Sequence, residues 1–455
     1  MEEAVKGTFT KTAVLLAVAL GAFAYAYFVE RKKLAGDDKK KETLFTFESA
    51  KAKELSLEPR QGDAIRLVKE AGSWKLVAPT PAPADGTSVE TVLNALNGLS
   101  VEEVVAESPG GLADFGLEKP VATATLTLEG QPKPLVLRVG EKAPDGSGLY
   151  AQTDDKPRVF LIASWLGTNF EKKPFDFRDR DLLHLKRDDV RTLEVTGPEG
   201  GFTVAKKDDG EWGITAPLVT RAGRWSVDGL LSTLEGLRFE TIAAEDAKDL
   251  KAFGLAKPTR TVTASLADGS QRKLEIGSSA GEKKWHARDA LKTLVAVIPG
   301  AVVDDLAKGM AELRQKRLLD VSTWDVEGIE AEGEKGKQVY ARTTSKGDAG
   351  ADVRKWKRTA PDAKELETSK VEDVLFKLGG LDVTEFVDVP KDPDIYGLDK
   401  PVLRLTLRMS GGKSAPFVEL AKKDGAAWAR RSDDTAVLKL DAAKADELVQ
   451  AFAGL

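Results

Sequence analysis

This chain offers few residues with which to do chemistry. It has two histidines, His184 and His286, and no cysteine among its 455 residues. A histidine-based metal centre would need both histidines plus carboxylates, yet they stand 102 residues apart with no shared pattern around them. Isolated surface or strand histidines are the plainer reading. The lack of cysteine excludes disulfides, thiol nucleophiles and Cys-ligated zinc. Gly277-Ser-Ser-Ala-Gly281 matches the G-x-S-x-G of serine hydrolases, whose nucleophile needs a strand before it and a helix after it. Here both flanks, 274–276 and 285–288, read as strands, which makes the segment a hairpin turn. Gly333-Glu-Lys-Gly-Lys337 lacks P-loop spacing and its hydroxyl residue, and reads as a hairpin tip. Asp392-Pro-Asp394 has proline where a calcium loop is flexible and lacks the terminal glutamate. Asp176, Asp179 and Asp181 alternate with Arg178 and Arg180, the pattern of a charge-paired helix start rather than an acid/base pair. We assign no catalytic, cofactor-binding or metal-ligating residue from these motifs, and expect no cofactor.

What must be positioned is a repeat. Trp74, Trp212 and Trp356 each stand five residues before a proline, Pro79, Pro217 and Pro361, and are 138 and then 144 residues apart. Phe115-Gly-Leu-Glu-Lys-Pro120, Phe253-Gly-Leu-Ala-Lys-Pro258 and Tyr396-Gly-Leu-Asp-Lys-Pro401 follow in the same order. The period exceeds the roughly 20–50 residues of solenoid units, so each copy should own a core. Hydrophobic content of 42% is ample for that. The net charge of −5, from 68 basic and 73 acidic residues spread along the chain, implies no basic face for nucleic acid.

Within copy one, Leu55 and Leu57, Ile65 and Leu67, and Trp74 and Leu76 alternate with period two, with Gly62 and Gly72 at the turns: a meander of half-buried antiparallel strands starting near Leu44. Leu193, Val195, Phe202, Val204, Trp212 and Ile214 repeat the pattern, and Ile329, Val339 and Trp356 repeat it again. After each proline comes an amphipathic helix: Val92, Leu93, Leu96 and Leu99 correspond to Leu230, Leu231, Leu234 and Leu237, and to Val374, Leu375, Leu378 and Leu381. Thr87 with Glu90 reads as a capping box, and Ser226 and Thr368 or Ser369 as the other caps. The aromatic-Gly-Leu-x-Lys-Pro turn then opens a strand with Ala124, Leu126 and Leu128, or Val262, Ala264 and Leu266, or Leu405, Leu407 and Met409, on its buried face. Asp268-Gly269 is a tight turn, 159–162 a further strand, and 164–170 helical. The three tryptophans read as core residues packed over their own helices rather than a ligand-stacking set.

At the N-terminus, 12–29 is uncharged for 18 residues, about 27 Å as a helix. Lys6 and Lys11 before it permit a cleavable signal peptide. Tyr27, Phe28 and Val29 followed by Arg31-Lys32-Lys33 favour a retained anchor, and 36–42 reads as a solvated linker that cannot pack.

Together, the tryptophan strand, the amphipathic helix, the aromatic-Gly-Leu-x-Lys-Pro signature and the exits Phe177-Arg-Asp-Arg-Asp-Leu-Leu183 and Leu313-Arg-Gln-Lys-Arg-Leu-Leu319 resemble the bacterial domain of unknown function 4340, over most of 50–455. The resemblance implies an N-terminal membrane anchor, neighbouring ABC-type transport components of the gliding-motility kind and an envelope accessory role. It brings no catalytic residues.

The expected architecture is α+β: a tail at 1–11, a transmembrane helix at 12–29, a linker at 30–43, and repeat domains at 44–185, 186–320 and 321–455, each a mainly antiparallel sheet with one or two packed helices. The expected function is a non-catalytic, single-pass protein of the bacterial inner membrane, an accessory or scaffold of an ABC-type transport complex. Its partners would be the membrane through 12–29 and a membrane protein such as a transporter component. Lys/Arg counts alone place the large part in the cytoplasm, while an uncleaved signal anchor places it outside; the latter is the expectation. A glycan- or lipid-binding module is the alternative, and an uncharacterised hydrolase the third reading.

Overall fold

Period-two alternation becomes sheet in all three copies. The computed structural model describes residues 42–208, 210–320, 322–346, 352–412 and 415–455. The expected membrane helix at 12–29 lies outside the described residues. Among the described residues no helix is long and apolar enough to cross a membrane. The chain divides into two compact units, Met1–Arg180 with the first repeat and Asp181–Leu455 with the second and third.

The first repeat contains β1 (Ala52–Pro59), β2 (Ile65–Glu70), β3 (Ser73–Ala78), β4 (Ala82–Pro83), β5 (Glu103–Ala106), β6 (Ala122–Leu128), β7 (Leu135–Lys142), β8 (Leu149–Thr153) and β9 (Val159–Ile162). They form one sheet ordered β4-β3-β2-β1-β6-β7-β8-β9-β5, and the other two repeats have nine-stranded sheets of the same order. The described pairings are antiparallel; in the first, Leu55 faces Leu67 and Leu57 faces Ile65. Those residues share a core with Trp74, Leu76 and the helix Gly86–Asn97. The helix buries Val92, Leu93 and Leu96, and Leu99 is buried just past its end. The helices Arg224–Glu235 and Thr368–Gly379 repeat the arrangement with Leu230, Leu231, Leu234 and Leu237 and with Val374, Leu375, Leu378 and Leu381. Each such side chain contributes about 1.5–3 kcal/mol on burial, so this one face attaches the helix to its sheet.

The peptide bonds Ala78–Pro79, Ala216–Pro217 and Ala360–Pro361 are all cis, where each tryptophan strand turns toward its short edge strand. Trp74, Trp212 and Trp356 are only 5%, 6% and 3% exposed, so they are core residues. The motif glycines Gly116, Gly254 and Gly397 have φ of 67°, 69° and 73°, the left-handed region that glycine enters without a Cβ penalty.

Several local expectations are corrected. The first strand starts at Ala52, and Leu44 and Phe47 pack against the core ahead of it. The helix cap is Asp85, whose carboxylate accepts from Thr87 N (2.9 Å) and Ser88 Oγ (3.0 Å); an aspartate two residues upstream supplies the acceptor that Thr87 was expected to supply. The other helices start at Gly223 and Glu367 with no side-chain cap, rather than at Ser226 or at Thr368 or Ser369. Tyr340, not Val339, points inward opposite Ile329, at the same spacing at which Val204 faces Leu193 in repeat 2. Leu266 and Met409 are half-buried. The strands after the motif proline begin two residues beyond it, at Ala122, Arg260 and Leu403. The edge strand β5 went unread because its residues are largely exposed. The segment at 176–181 is no helix start: Pro174–Phe177 is a single 3-10 turn, and Arg178 bridges Ala84 in extended form.

The polar linker ends in contacts. Thr43 bridges Ser100, and Glu42 accepts from Arg158 Nη2 at 2.5 Å and Lys156 Nζ at 3.1 Å. The hydrogen bond from Arg158, helped by Lys156, lowers the Glu42 carboxyl from 4.5 to about 2. A depressed acid contributes stability that is present above the unfolded value and lost as pH falls through the folded one. Glu42→Gln is therefore expected to flatten the acid-induced loss of stability between pH 4.5 and 2, read from thermal midpoints across that range. The effect is small, because the carboxylate is partly solvated. At the cap, Asp85→Ala should cost about 1 kcal/mol, read as a shift in urea midpoint at constant m; no shift would mean that the cap bonds carry no net stability.

Candidate functional site

The residues first read for chemistry are occupied by structure. Gly277-Ser-Ser-Ala-Gly281 forms the end of the strand Gln271–Gly281, and the chain returns as Lys284–Asp289. Strand follows strand, and Ser279 Oγ donates to Gly281 O (2.9 Å). Ser278 Oγ lies 3.3 Å from His286 Nδ1, a Ser–His approach that sequence reasoning missed because the pair spans a hairpin. The imidazole has a structural task there. His286 packs edge-on against Phe253 at 5.2 Å between ring centroids, as Tyr150 packs on Phe115 (5.1 Å) and Trp428 on Tyr396 (5.0 Å). Each sits next to the alanine that pairs with the motif-facing strand, Ala151, Ala287 or Ala429. The three are equivalent, and the motif aromatic finds an aromatic neighbour in every repeat. His184 is partly exposed, with φ of 48°, and its N–H donates to Asp181 Oδ1 (2.8 Å).

Gly333 pairs with Gly336 across a two-residue tip. Asp392 precedes the 3-10 turn Pro393–Tyr396, which Gly397 terminates. Among the described residues no group of three or more potential ligands is placed to hold a metal.

A buried polar cluster lies elsewhere, between the second and third repeats within the unit Asp181–Leu455. The exit segment of repeat 2 supplies Arg314, 3% exposed, whose Nη1 is 2.6 Å from Asp388 Oδ1 and whose Nη2 is 3.2 Å from Thr220 Oγ1. Thr220 Oγ1 in turn donates to Asp434 Oδ2 (3.1 Å). The guanidinium lies 3.8 Å from the centre of the Phe386 ring, a planar cation stacked on an aromatic face. Arg431 holds Asp433 through Nε and Nη2, each 2.9 Å, and donates from Nη1 to Leu318 O. Burial raises the Asp433 carboxyl, but the Arg431 hydrogen bonds and the Arg431 and Arg221 charges outweigh it and leave it below the usual aspartate value. Burial, then repulsion from Arg431, lowers Arg221 from the usual arginine value to about 10. Two backbone threads join the same elements: Leu318 N donates to Leu381 O (2.9 Å) and Val383 N to Lys316 O (2.6 Å). Pairing at this depth fixes the angle between two bodies; a substrate would have to displace it. Sequence reasoning had placed the exits Leu313–Leu319 only as connectors, because Arg314, Asp388 and Asp434 are far apart in the chain.

Beside this joint is a groove of about 240 Å³ whose lining includes Trp225, Lys316, Arg317 and Asp382, adjoining one of about 500 Å³ that includes Trp225, Thr233, Asp305 and Lys308. Trp225, at the start of the helix Arg224–Glu235, is 84% exposed.

The family described as Domain of unknown function (DUF4340) matches residues 74–225 and 212–401. No curated protein matches the chain. Among solved structures, the DNA polymerase III subunit beta from Pseudomonas aeruginosa aligns at 7% identity over 86% of this chain and 93% of that one, with a TM-score of 0.13. The DNA polymerase sliding clamp from the same organism aligns at 7% identity over 86% and 91%, also at 0.13. Scores of that size carry no argument about fold or function.

Proposed function

Because this chain belongs to the DUF4340 family, we propose that it is a non-catalytic accessory or scaffold, anchored in the bacterial inner membrane by 12–29, that presents its three repeats outside the cytoplasm to a membrane partner such as an ABC-type transport component. The observation that carries this reading is how the recurring residues are used. Each repeat spends its tryptophan, its aromatic-Gly-Leu-x-Lys-Pro turn and its helix leucines on core and turn, and repeats 2 and 3 are tied by buried Arg314, through Asp388, and by buried Arg431, through Leu318 O. Repeats 2 and 3, two similar folded bodies held together within one unit, suit presentation of surface.

The test is a C-terminal tag probed for protease access in spheroplasts, followed by crosslinking and mass spectrometry. Access to the tag with a transport component captured is the expected result. Protection of the tag would place the repeats in the cytoplasm, and capture of no envelope or transport protein would end the accessory reading.

The exposed Trp225 favours a second reading, glycan binding in its groove, since a bare indole flanked by Thr233, Asp305 and Lys308 is a surface on which a sugar ring stacks. Titration of envelope glycan fragments against the intact protein and Trp225→Ala decides it: binding lost with the indole supports this reading, and equal heats reject it.

A further inference from the structure

The three repeats differ at one position with a chemical consequence. Two residues past the proline of the aromatic-Gly-Leu-x-Lys-Pro turn stand Ala122, Arg260 and Leu403. In repeat 2, Arg260 is buried. Its Nη1 donates to Leu306 O (2.8 Å), at the end of the helix Gly300–Leu306, and its Nη2 pairs with Glu199 Oε2 (2.5 Å). Repeat 3 holds the end of its last helix, Ala442–Ala453, by another residue: Lys335 Nζ, on the tip of the 333–336 hairpin, donates to Ala453 O (2.6 Å).

Leu403 carries no group that could reach a helix end as Arg260 does. Beside Leu403 lies a cleft of about 480 Å³, floored by Val402, Leu403, Val449 and Phe452, within the roughly 300–1,000 Å³ of small-molecule sites. Its rim carries one acid, Glu334, and three lysines. Lys335 is bound to the helix carbonyl and Lys422 is paired with Asp446. The Lys400 ammonium has no ion pair or hydrogen bond among the described residues. An apolar floor with an unused cation at its edge fits a ligand with an apolar chain and a single anionic head.

We propose that this cleft of the third repeat binds the acyl chain of an anionic amphiphile, with the carboxylate or phosphate head on Lys400. The position explains why repeat 2 would not do so, since it fills that place with Arg260. Chain length should matter: each methylene buried raises affinity about fourfold, until the cleft is full.

The experiment uses the full chain and a photoreactive dodecanoate carrying a diazirine on its chain, with adducts mapped by mass spectrometry. Adducts are expected on the peptides containing Val402 and Leu403 or Val449 and Phe452. Unlabelled decanoate, dodecanoate and tetradecanoate should compete with increasing strength, and dodecyltrimethylammonium at least tenfold more weakly than dodecanoate. Leu403→Arg, which copies repeat 2, should reduce labelling at these peptides at least tenfold, and Lys400→Glu should weaken dodecanoate several-fold while improving the cationic competitor. Val449→Trp fills the cleft from the helix side and serves the same purpose if Leu403→Arg fails to fold, as judged by circular dichroism. A second arm with diazirine-labelled phosphatidylglycerol identifies the source as membrane lipid; labelling in the dodecanoate arm alone identifies free fatty acid. Absence of adducts in both arms, adducts that persist in both filled variants, or equal competition by the cationic amphiphile overturns the proposal.

Discussion

Arg314→Ala is expected to destabilise the unit Asp181–Leu455 by about 3–5 kcal/mol, the cost of removing one partner from a buried ion pair. The guanidinium is almost wholly buried and serves Asp388, Thr220 and the Phe386 ring at once. Its loss leaves Asp388 without its cation and Thr220 and Asp434 beside an empty volume. Since 1 kcal/mol moves the midpoint of a large domain by roughly 2–4 °C, calorimetry should show a fall of about 6 °C or more. The melting profile should also change shape: with the joint weakened, repeats 2 and 3 should melt as two transitions. Arg314→Lys keeps the charge but neither the fork nor the stack, and should recover only a minor part of the loss. A drop below 1 kcal/mol for Arg314→Ala would show that the joint is solvated and carries little of the coupling.

The second large effect concerns a single methyl group. At Gly277, a Cβ would stand 2.1 Å from Phe253 O and 3.0 Å from Leu255 Cγ, far inside contact distance to a backbone oxygen that cannot rotate away. Gly277→Ala must push the motif turn off its strand, for which overpacking costs typically about 1–3 kcal/mol; the rigid obstacle places this case near the top. Gly140 meets Phe115 O at the same 2.1 Å and should behave alike. Repeat 3 is the natural control, because Ala421 occupies the corresponding strand position and packs with Tyr396, Leu398 and Val437. Ala421→Gly is expected to cost about 1 kcal/mol or less, mainly as backbone entropy. Urea melts of the three variants test the contrast. Equal small losses at all three sites would mean that the turn adjusts freely.

How far the chain could be read depended on the range of the interaction. The helix leucines, the tryptophan strands and the left-handed glycines were legible because each depends on neighbours within a few residues: period 3.6 places Leu230, Leu231 and Leu234 on one face, and period 2 places Leu193 and Val195 on another. The caps were less legible, because Asp85 and Thr87 are both good acceptors and only the backbone angle at the helix start chooses between them. Parity failed in the third repeat, where Val339 and Tyr340 are equally apolar neighbours and the hairpin geometry decides which faces Ile329.

By itself, the sequence determined that there are three copies, that each is an antiparallel sheet covered by a helix, and that its G-x-S-x-G and Gly-Lys motifs sit in hairpins. Periodicity and turn chemistry are local, and repetition made them audible three times. Tertiary structure alone decided which charged residues are buried together. Arg314, Asp388 and Asp434 meet across 120 residues of chain, His286 inherits an aromatic place from its fold position, and Leu403 lines a cleft while Arg260, its counterpart in the preceding repeat, reaches a helix end. None of these follows from spacing, because each is set by where the sheets bring distant strands together and by which side chain is long enough to reach.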